Sequence, residues 1–193
     1  MSDSLLTTVD LRCERDGRTL FADLQIKLGR GECLVVVGPN GSGKSTLLRC
    51  VAGLFPDYEG AVEITRALYL GHKLGINLLL TARENLHWYE GLTGQASLVS
   101  EVLERVGMAG YEHVVCQRLS AGQQRRVGLA RLLICNASMW LLDEPLTALD
   151  EAGQGLVTGL ISDHLATGGG VFCATHQPLA VAVTQTLELG GRQ

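Results

Sequence analysis

The sequence predicts an α/β protein with a mainly parallel β-sheet and an antiparallel β unit at its N-terminus. Unbroken apolar runs are typical of strands that are buried on both faces of a parallel sheet. Three such runs lie at residues 33–37, 139–142 and 171–174. Ahead of them, residues 5–14 and 19–28 carry loosely alternating apolar side chains around Asp16 and Gly17, a dipeptide that favours a hairpin turn. The chain is therefore expected to open with two antiparallel strands and to continue into a sheet that helices cover.

Capping and periodicity signals place the remaining elements. Apolar residues at helical spacing, most of them after a capping residue, predict helices at residues 44–52, 81–89, 96–106, 120–135 and 150–165. Pro178 is predicted to begin one further short helix. Short apolar segments predict strands at residues 61–64, 67–70 and 186–189.

Composition excludes several classes of protein. The 193 residues give room for one compact domain, and the net charge of −4 offers no field that would attract nucleic acid. No apolar run approaches the roughly 18 residues that a membrane-spanning helix needs, and the N-terminus lacks the basic start of a signal peptide. The six cysteines show no metal-ligand spacing and are interpreted as reduced core residues. We therefore expect a cytoplasmic protein that binds no nucleic acid.

A phosphate-binding loop is the strongest motif. Residues 38–45 match G-x-x-x-x-G-K-[ST] between a buried strand and a helix, which is the context that this loop requires. Its glycines let backbone N–H groups surround phosphate oxygens, Lys44 can reach the outer phosphates, and Ser45 can hold magnesium. The predicted ATP-binding residues are Gly38, Pro39, Asn40, Gly41, Ser42, Gly43, Lys44, Ser45 and Thr46.

Two carboxylates follow the apolar run 139–142, at the end of a predicted strand. Ligands of parallel sheets collect at the carboxyl ends of the strands. We expect Asp143 to hold Mg²⁺ and Glu144 to polarise the water that attacks the terminal phosphate. The pair therefore predicts groups that could hydrolyse the bound nucleotide.

A second phosphate-binding surface lies at a predicted helix start. The segment consists of Leu119, Ser120, Ala121, Gly122 and Gln123. A capping serine followed by glycine presents a hydroxyl and free N–H groups. Two such surfaces in one monomer cannot easily meet on one nucleotide.

The order of these motifs resembles the ATP-binding cassette (ABC) family over nearly the whole chain. The resemblance implies one nucleotide-binding domain over residues 1–193, with a P-loop NTPase core, an antiparallel β subdomain and an inserted α-helical subdomain at about residues 74–135. It implies that the segment 119–123 acts in trans on the ATP of a second copy, in a head-to-tail homodimer. It also implies that Lys44, Glu144 and His176 are catalytic, with His176 contacting the terminal phosphate, and that Asp150 is the D-loop residue.

Two positions depart from the general ABC pattern. Where the family carries an aromatic side chain that stacks on adenine, this chain has Arg15, whose guanidinium plane can also stack on a purine; Phe21 is the other candidate. Where the family carries a glutamine that touches Mg²⁺, the aligned residue is Lys73, which has no acceptor for a metal. Lys73 could face a phosphate instead, or His72 could substitute.

Several short segments resemble one branch of the family, the ATPase subunits of the cytochrome c maturation system. They are residues 13–16, 71–76, 80–86 and 175–179. This resemblance implies a peripheral ATPase on the cytoplasmic face of the bacterial inner membrane, bound to separate integral membrane subunits and driving haem export or release of a haem-loaded chaperone. Residues 74–80 with Trp88 and Tyr89 are either a docking surface for these subunits or ordinary core packing.

Other functions remain open from the sequence. The chain could serve an ABC transporter for another substrate, or act as a soluble ABC ATPase in translation or DNA repair. Those soluble proteins carry two cassettes or a long coiled-coil insertion, and 193 residues hold neither. A small-molecule phosphotransferase would leave the segment 119–123 without a role. A nucleotide-binding regulator without turnover is a further alternative.

Overall fold

The computed structural model describes residues 4–93, 99–147 and 149–190. The chain divides into two compact units. The first comprises residues 1–71, 137–145 and 158–193, and the second comprises residues 72–136 and 146–157. The single nucleotide-binding domain over residues 1–193, with a helical subdomain at about 74–135, stays a prediction.

The described residues form eight strands and five α-helices. The strands are β1 (Ser4–Arg15), β2 (Arg18–Gly29), β3 (Cys33–Val37), β4 (Glu59–Ile64), β5 (Ala67–Leu70), β6 (Met139–Asp143), β7 (Gly170–Ala174) and β8 (Gln185–Glu188). The helices are α1 (Lys44–Val51), α2 (Ala82–Thr93), α3 (Val99–Arg105), α4 (Ala121–Ile134) and α5 (Glu151–Ala166), with a 3₁₀ turn at Cys116–Arg118.

The predicted α/β class is confirmed. Five strands form a parallel sheet in the order β5-β6-β7-β3-β8, and three form an antiparallel sheet in the order β2-β1-β4. Asp16 and Gly17 form the predicted hairpin turn between β1 and β2, each with a left-handed backbone at φ 52° and 71°. The sequential strands β5 and β6 lie side by side although a whole helical unit separates them in the chain.

One core holds the first unit together. Side chains of both sheets and of α1 form a single cluster of buried apolar residues, in which Phe172 and Leu47 are fully buried. The strand β7, whose five residues are all buried, supplies the centre of the parallel sheet. All six cysteines are buried, as the interpretation of core thiols requires.

The second unit consists mainly of α2, α3 and α4. The predicted capping box at Ser120 and Gln123 is present, because each side chain binds the other's backbone N–H. The same exchange joins Thr81 and Glu84 ahead of α2. Asn85 is buried and its side chain bonds to the backbone of residue 77, which anchors the loop before α2. In the described ranges, no helix is long and apolar enough to cross a membrane.

One predicted helix is absent from the structure. The short helix expected from Pro178 is wrong, because residues 175–184 form bends and irregular chain. Hydrogen bonds fix both ends of this segment. The Thr175 hydroxyl accepts from the backbone N–H of Gln177, and the Thr184 side chain both accepts from and donates to the backbone of Cys33. The helix predicted at residues 96–106 is present as α3, and residues 96–98 of that prediction lie outside the described residues.

Candidate functional site

The phosphate loop lies between β3 and α1, as the motif predicts. Three of its glycines have left-handed backbone, with φ of 144° at Gly38, 78° at Gly41 and 100° at Gly43. L-residues rarely adopt such angles, so glycine is needed for the curl of the loop. The Lys44 ammonium donates to the carbonyls of Gly38 and Pro39 at 2.7 and 3.1 Å, which places the cation inside the loop.

The end of β6 brings Asp143 beside the phosphate loop. The Asp143 side chain is buried, and its Oδ1 accepts a hydrogen bond from the Ser45 hydroxyl at 2.9 Å. A hydroxyl and a carboxylate are hard oxygen donors of the kind that Mg²⁺ prefers. The two side chains predicted to hold Mg²⁺ therefore lie together, and their chemistry fits this ion.

Glu144 and His176 form a pair at the ends of two neighbouring strands. The His176 Nε2 atom lies 3.4 Å from Glu144 Oε1, and the His176 backbone N–H donates to Glu144 Oε2 at 3.4 Å. Glu144 has a φ of 51°, which is an uncommon backbone conformation for glutamate. Its backbone N–H donates to the carbonyl of Ala174 at 2.8 Å. This bond joins the residue after β6 to the last residue of β7.

These groups open into one cavity of the first unit, with a volume of about 540 Å³. Its lining comprises Arg15, Asp16, Arg18, Leu20, Asn40, Gly41, Gly43, Lys44, Ser45, Thr46, Glu144 and His176. The three predicted catalytic residues thus face one space with much of the phosphate loop. The lining does not include Gly38, Pro39, Ser42 and Asp143.

Arg15 rather than Phe21 faces this cavity. The Arg15 side chain is 57% exposed and its Nε lies 3.6 Å from Asp16 Oδ2. Phe21 is 5% exposed and belongs to the apolar core, so it cannot be the alternative base contact in this conformation. Arg15 as the base contact stays a prediction.

The segment 119–123, called the signature segment below, lines a separate cavity in the second unit. This cavity has a volume of about 720 Å³, and its lining comprises Gly107, Tyr111, Ser120, Gly122, Gln123, Arg126, Leu149 and Asp150. Leu119 is buried beneath it, and Ala121 is the exposed first residue of α4. Asp150 Oδ1 accepts from the backbone N–H of Gly153 at 2.8 Å. Asp150 therefore caps α5 and also borders the signature cavity.

Lys73 and His72 have exposed side chains at the start of the second unit. A role for either residue in the site stays a prediction.

Residues that sequence reasoning missed lie beside Asp143 and around the cavity of the second unit. Tyr69 donates to Asp143 Oδ2 at 3.0 Å, although an aromatic residue in a short strand looks like ordinary packing. Arg126 and Tyr111 line the signature cavity, and Arg126 donates to the carbonyl of Val106 at 3.2 Å. The position of Arg126, two residues after the first turn of α4, is a sequence feature that could have indicated its place near the signature segment. No sequence pattern indicates such a place for Tyr111.

The fold and the first cavity together define a P-loop nucleotide-binding protein. The sequence signature of the ABC transporter family matches residues 21–147. The chain belongs to this family and is an ATP-binding ATPase of the ABC type.

Similar proteins from several bacteria point to one branch of the family. The chain is 45% identical to the cytochrome c biogenesis ATP-binding export protein CcmA of Saccharophagus degradans, over 93% of this chain and 90% of that protein. It is 46% identical to the export protein CcmA 2 of Salmonella paratyphi A, over 91% of each chain. Among solved structures, the ATP-binding subunit of an ABC transporter superimposes with a TM-score of 0.81 at 21% identity, covering 89% of this chain and 79% of that one. This last likeness concerns the fold alone.

Proposed function

We propose that the chain hydrolyses ATP with Mg²⁺ at composite sites of a head-to-tail homodimer, and that this hydrolysis serves cytochrome c biogenesis at a membrane. The observation that carries the first part is the 540 Å³ cavity, in which the phosphate loop faces Glu144 and His176. The similarity to two bacterial export proteins supports the second part.

The main residues of the site have distinct chemical tasks in this proposal. Loop N–H groups and Lys44 bind the β- and γ-phosphates, while Ser45 and Asp143 would hold Mg²⁺, which supplies positive charge against the phosphate oxygens. The Glu144 carboxylate takes a proton from the attacking water. His176 lies against Glu144, so it can orient that carboxylate and contact the terminal phosphate. Arg15 at the rim stacks on the adenine ring.

The dimer is supported by Gly122 of the signature segment. A Cβ added at Gly122 would meet no atom of the described residues within 4 Å, its chain neighbours and the backbone of its own helix aside, and the residue has no left-handed backbone. The chain's own fold therefore gives no reason for glycine here. Close approach of a phosphate from a second copy does, because backbone N–H groups at a helix start can then reach its oxygens.

Mixing two inactive variants tests the composite site. Lys44→Ala removes ATP binding from a chain's own loop, and Gly122→Asp places a negative charge on its signature segment. In a mixed dimer, the intact loop of one chain meets the intact signature of the other. Equal mixing of the two variants leaves about a quarter of the composite sites intact, since each twofold dimer pairs the same two surfaces reciprocally. We expect ATP hydrolysis to reappear in the mixture.

Two further results bear on the same proposal. Glu144→Gln should bind ATP, stop hydrolysis and trap the dimer, which size-exclusion chromatography with MgATP detects. Gly159→Ala serves as a control, because Gly159 lies in α5 with open space around it. The head-to-tail site would be contradicted if the mixture stayed inactive and the Glu144→Gln protein remained monomeric at every concentration.

The biological role requires integral membrane subunits that hold the chain at the cytoplasmic face of the inner membrane. We propose that ATP hydrolysis there drives haem export or the release of a haem-loaded chaperone. The surface formed by Leu78, Leu79 and Trp88 supports docking, since these side chains are 45%, 73% and 66% exposed. Tyr89 instead packs inside its unit, with the Arg131 guanidinium 4.3 Å from its ring centre.

Affinity purification from membranes tests this role. We expect integral subunits to co-purify with the wild-type chain and to be lost with Trp88→Glu. The matched control is Leu54→Glu, which changes an equally exposed apolar residue of the first unit. If Trp88→Glu folded and still recruited the same subunits, the proposed docking surface would be wrong. If the wild-type chain recruited no cytochrome c maturation subunit, the proposed role in cytochrome c biogenesis would be wrong.

A further inference from the structure

Tyr69 is a polar neighbour of the proposed metal site that no motif includes. It lies on β5, which pairs in parallel with β6, so that Tyr69 stands opposite Leu141. From there its side chain reaches the end of β6 and its hydroxyl donates to Asp143 Oδ2 at 3.0 Å. The position is half-buried against the core.

The two oxygens of Asp143 are bound by different partners. Ser45 donates to Oδ1 at 2.9 Å and Tyr69 donates to Oδ2. A phenol has one proton, so a hydroxyl that donates to the carboxylate can only accept from its other neighbour. That neighbour is the Arg49 Nε, at 3.4 Å. The order Arg49, Tyr69, Asp143 therefore has one consistent direction of donation, towards the carboxylate.

Gly71 gives the Tyr69 ring its room. A Cβ at Gly71 would lie 2.7 Å from both Cε1 and the hydroxyl oxygen of Tyr69. Cβ atoms essentially never come this close to a non-bonded atom, so any larger residue at position 71 would push the ring away. The backbone two residues beyond Tyr69 is thus shaped to keep the hydroxyl at Asp143.

We propose that Tyr69 is a positioning residue that orients the Asp143 carboxylate and thereby raises the affinity of the site for Mg²⁺. With Oδ2 bound to the phenol, the carboxylate cannot rotate, and Oδ1 stays directed at Ser45. Partners of metal-binding carboxylates act in this way by fixing the direction of the ligand. The inference rests on the proposed function of Ser45 and Asp143.

Mn²⁺ binding to the ATP complex, followed by electron paramagnetic resonance, measures the effect without turnover. We expect Tyr69→Phe to weaken Mn²⁺ binding about 10- to 100-fold, the usual cost of losing such a partner. Binding of ATP in the presence of a chelator should not change, because Tyr69 lies outside the ATP cavity. Tyr58→Phe is the control, since Tyr58 also packs on the core.

A double-mutant cycle separates positioning from a structural effect. In the Asp143→Ala background there is no carboxylate to orient, so Tyr69→Phe should change Mn²⁺ affinity by less than about twofold. An equal loss in both backgrounds, or an unchanged affinity of Tyr69→Phe itself, would overturn the inference while leaving the proposed function standing. A wild-type protein that binds neither ATP nor Mn²⁺ would refute both.

Discussion

Replacing Gly71 by alanine tests the link between backbone shape and the proposed metal site. The backbone at Gly71 is not left-handed, so alanine fits the local conformation. Its Cβ, however, would stand 2.7 Å from the Tyr69 hydroxyl oxygen, whereas ordinary contact begins near 3.4 Å. To reach ordinary contact, the half-buried ring must move by about 0.7 Å. The hydroxyl lies 3.0 Å from Asp143 Oδ2, so a shift of this size away from the carboxylate would lengthen the bond beyond hydrogen-bonding distance.

The magnitude follows from two opposing effects. A hydrogen bond to a charged group contributes about 1.5–3 kcal/mol. Alanine returns about 0.4–1 kcal/mol, because it lowers the entropy of the unfolded chain. The free energy of unfolding should therefore fall by about 1–2 kcal/mol. For a protein of this length, that corresponds to a decrease in Tm of about 2–8 °C.

Thermal unfolding and Mn²⁺ titration of the same samples provide the assay. Gly159→Ala is the matched control: Gly159 is exposed within α5, and a Cβ there meets nothing within 4 Å. That variant should gain about 0.5–1 kcal/mol of stability and keep its Mn²⁺ affinity. If Gly71→Ala were as stable as Gly159→Ala and bound Mn²⁺ like the wild type, the argument from ring displacement would be refuted.

Three further predictions concern stability. Burial lowers the pKa of His164 below its ordinary 6.5, so the unfolded chain binds a proton that the folded chain does not, and the free energy of unfolding should fall as pH drops below about 6.5. Urea titrations should show a weaker pH dependence of stability for His164→Phe than for the wild type. An unchanged pH dependence in this variant would contradict the prediction. Glu144→Gly should raise the free energy of unfolding by about 0.5–1 kcal/mol through relief of its left-handed backbone while ending hydrolysis, and a less stable variant would argue against strain. Thr8→Val should cost about 1–3 kcal/mol in the same titrations, because the buried Thr8 hydroxyl accepts from Ile26 N–H at 2.9 Å and donates to the Leu24 carbonyl at 3.1 Å; a neutral result would mean that another group replaces it.

The fold could be predicted from the sequence to the extent that single segments carry the signal. The apolar run at Cys33–Val37 coincides with β3, and the run from residue 139 needs only Asp143 added to give β6. The region after His176 could not be predicted in this way. Its helix-like start at Pro178 has no counterpart in the structure, because Thr184 is bound to the backbone of Cys33, which is 151 residues away.

The same distinction between local and long-range signals applies to the residues of the candidate site. The phosphate loop and the acidic pair could be predicted because each motif lies within a few consecutive residues. Tyr69 could not, because its role depends on the register of β5 against β6 and on the space above Gly71. Both are properties of the folded sheet, and a tyrosine in a short apolar segment is more simply interpreted as packing.

The glycines of the two proposed phosphate-binding surfaces show which of them the fold itself requires and which it does not. Gly38 is required by the fold itself, because a Cβ there would stand 2.2 Å from the Leu189 carbonyl oxygen. Gly41 is required by its backbone, since its φ of 78° would strain any larger residue even though the space around it is open. Gly122 meets neither condition. If it cannot be replaced without loss of hydrolysis, the requirement must come from a molecule outside the chain, and in our proposal that molecule is the ATP held by the phosphate loop of a second copy.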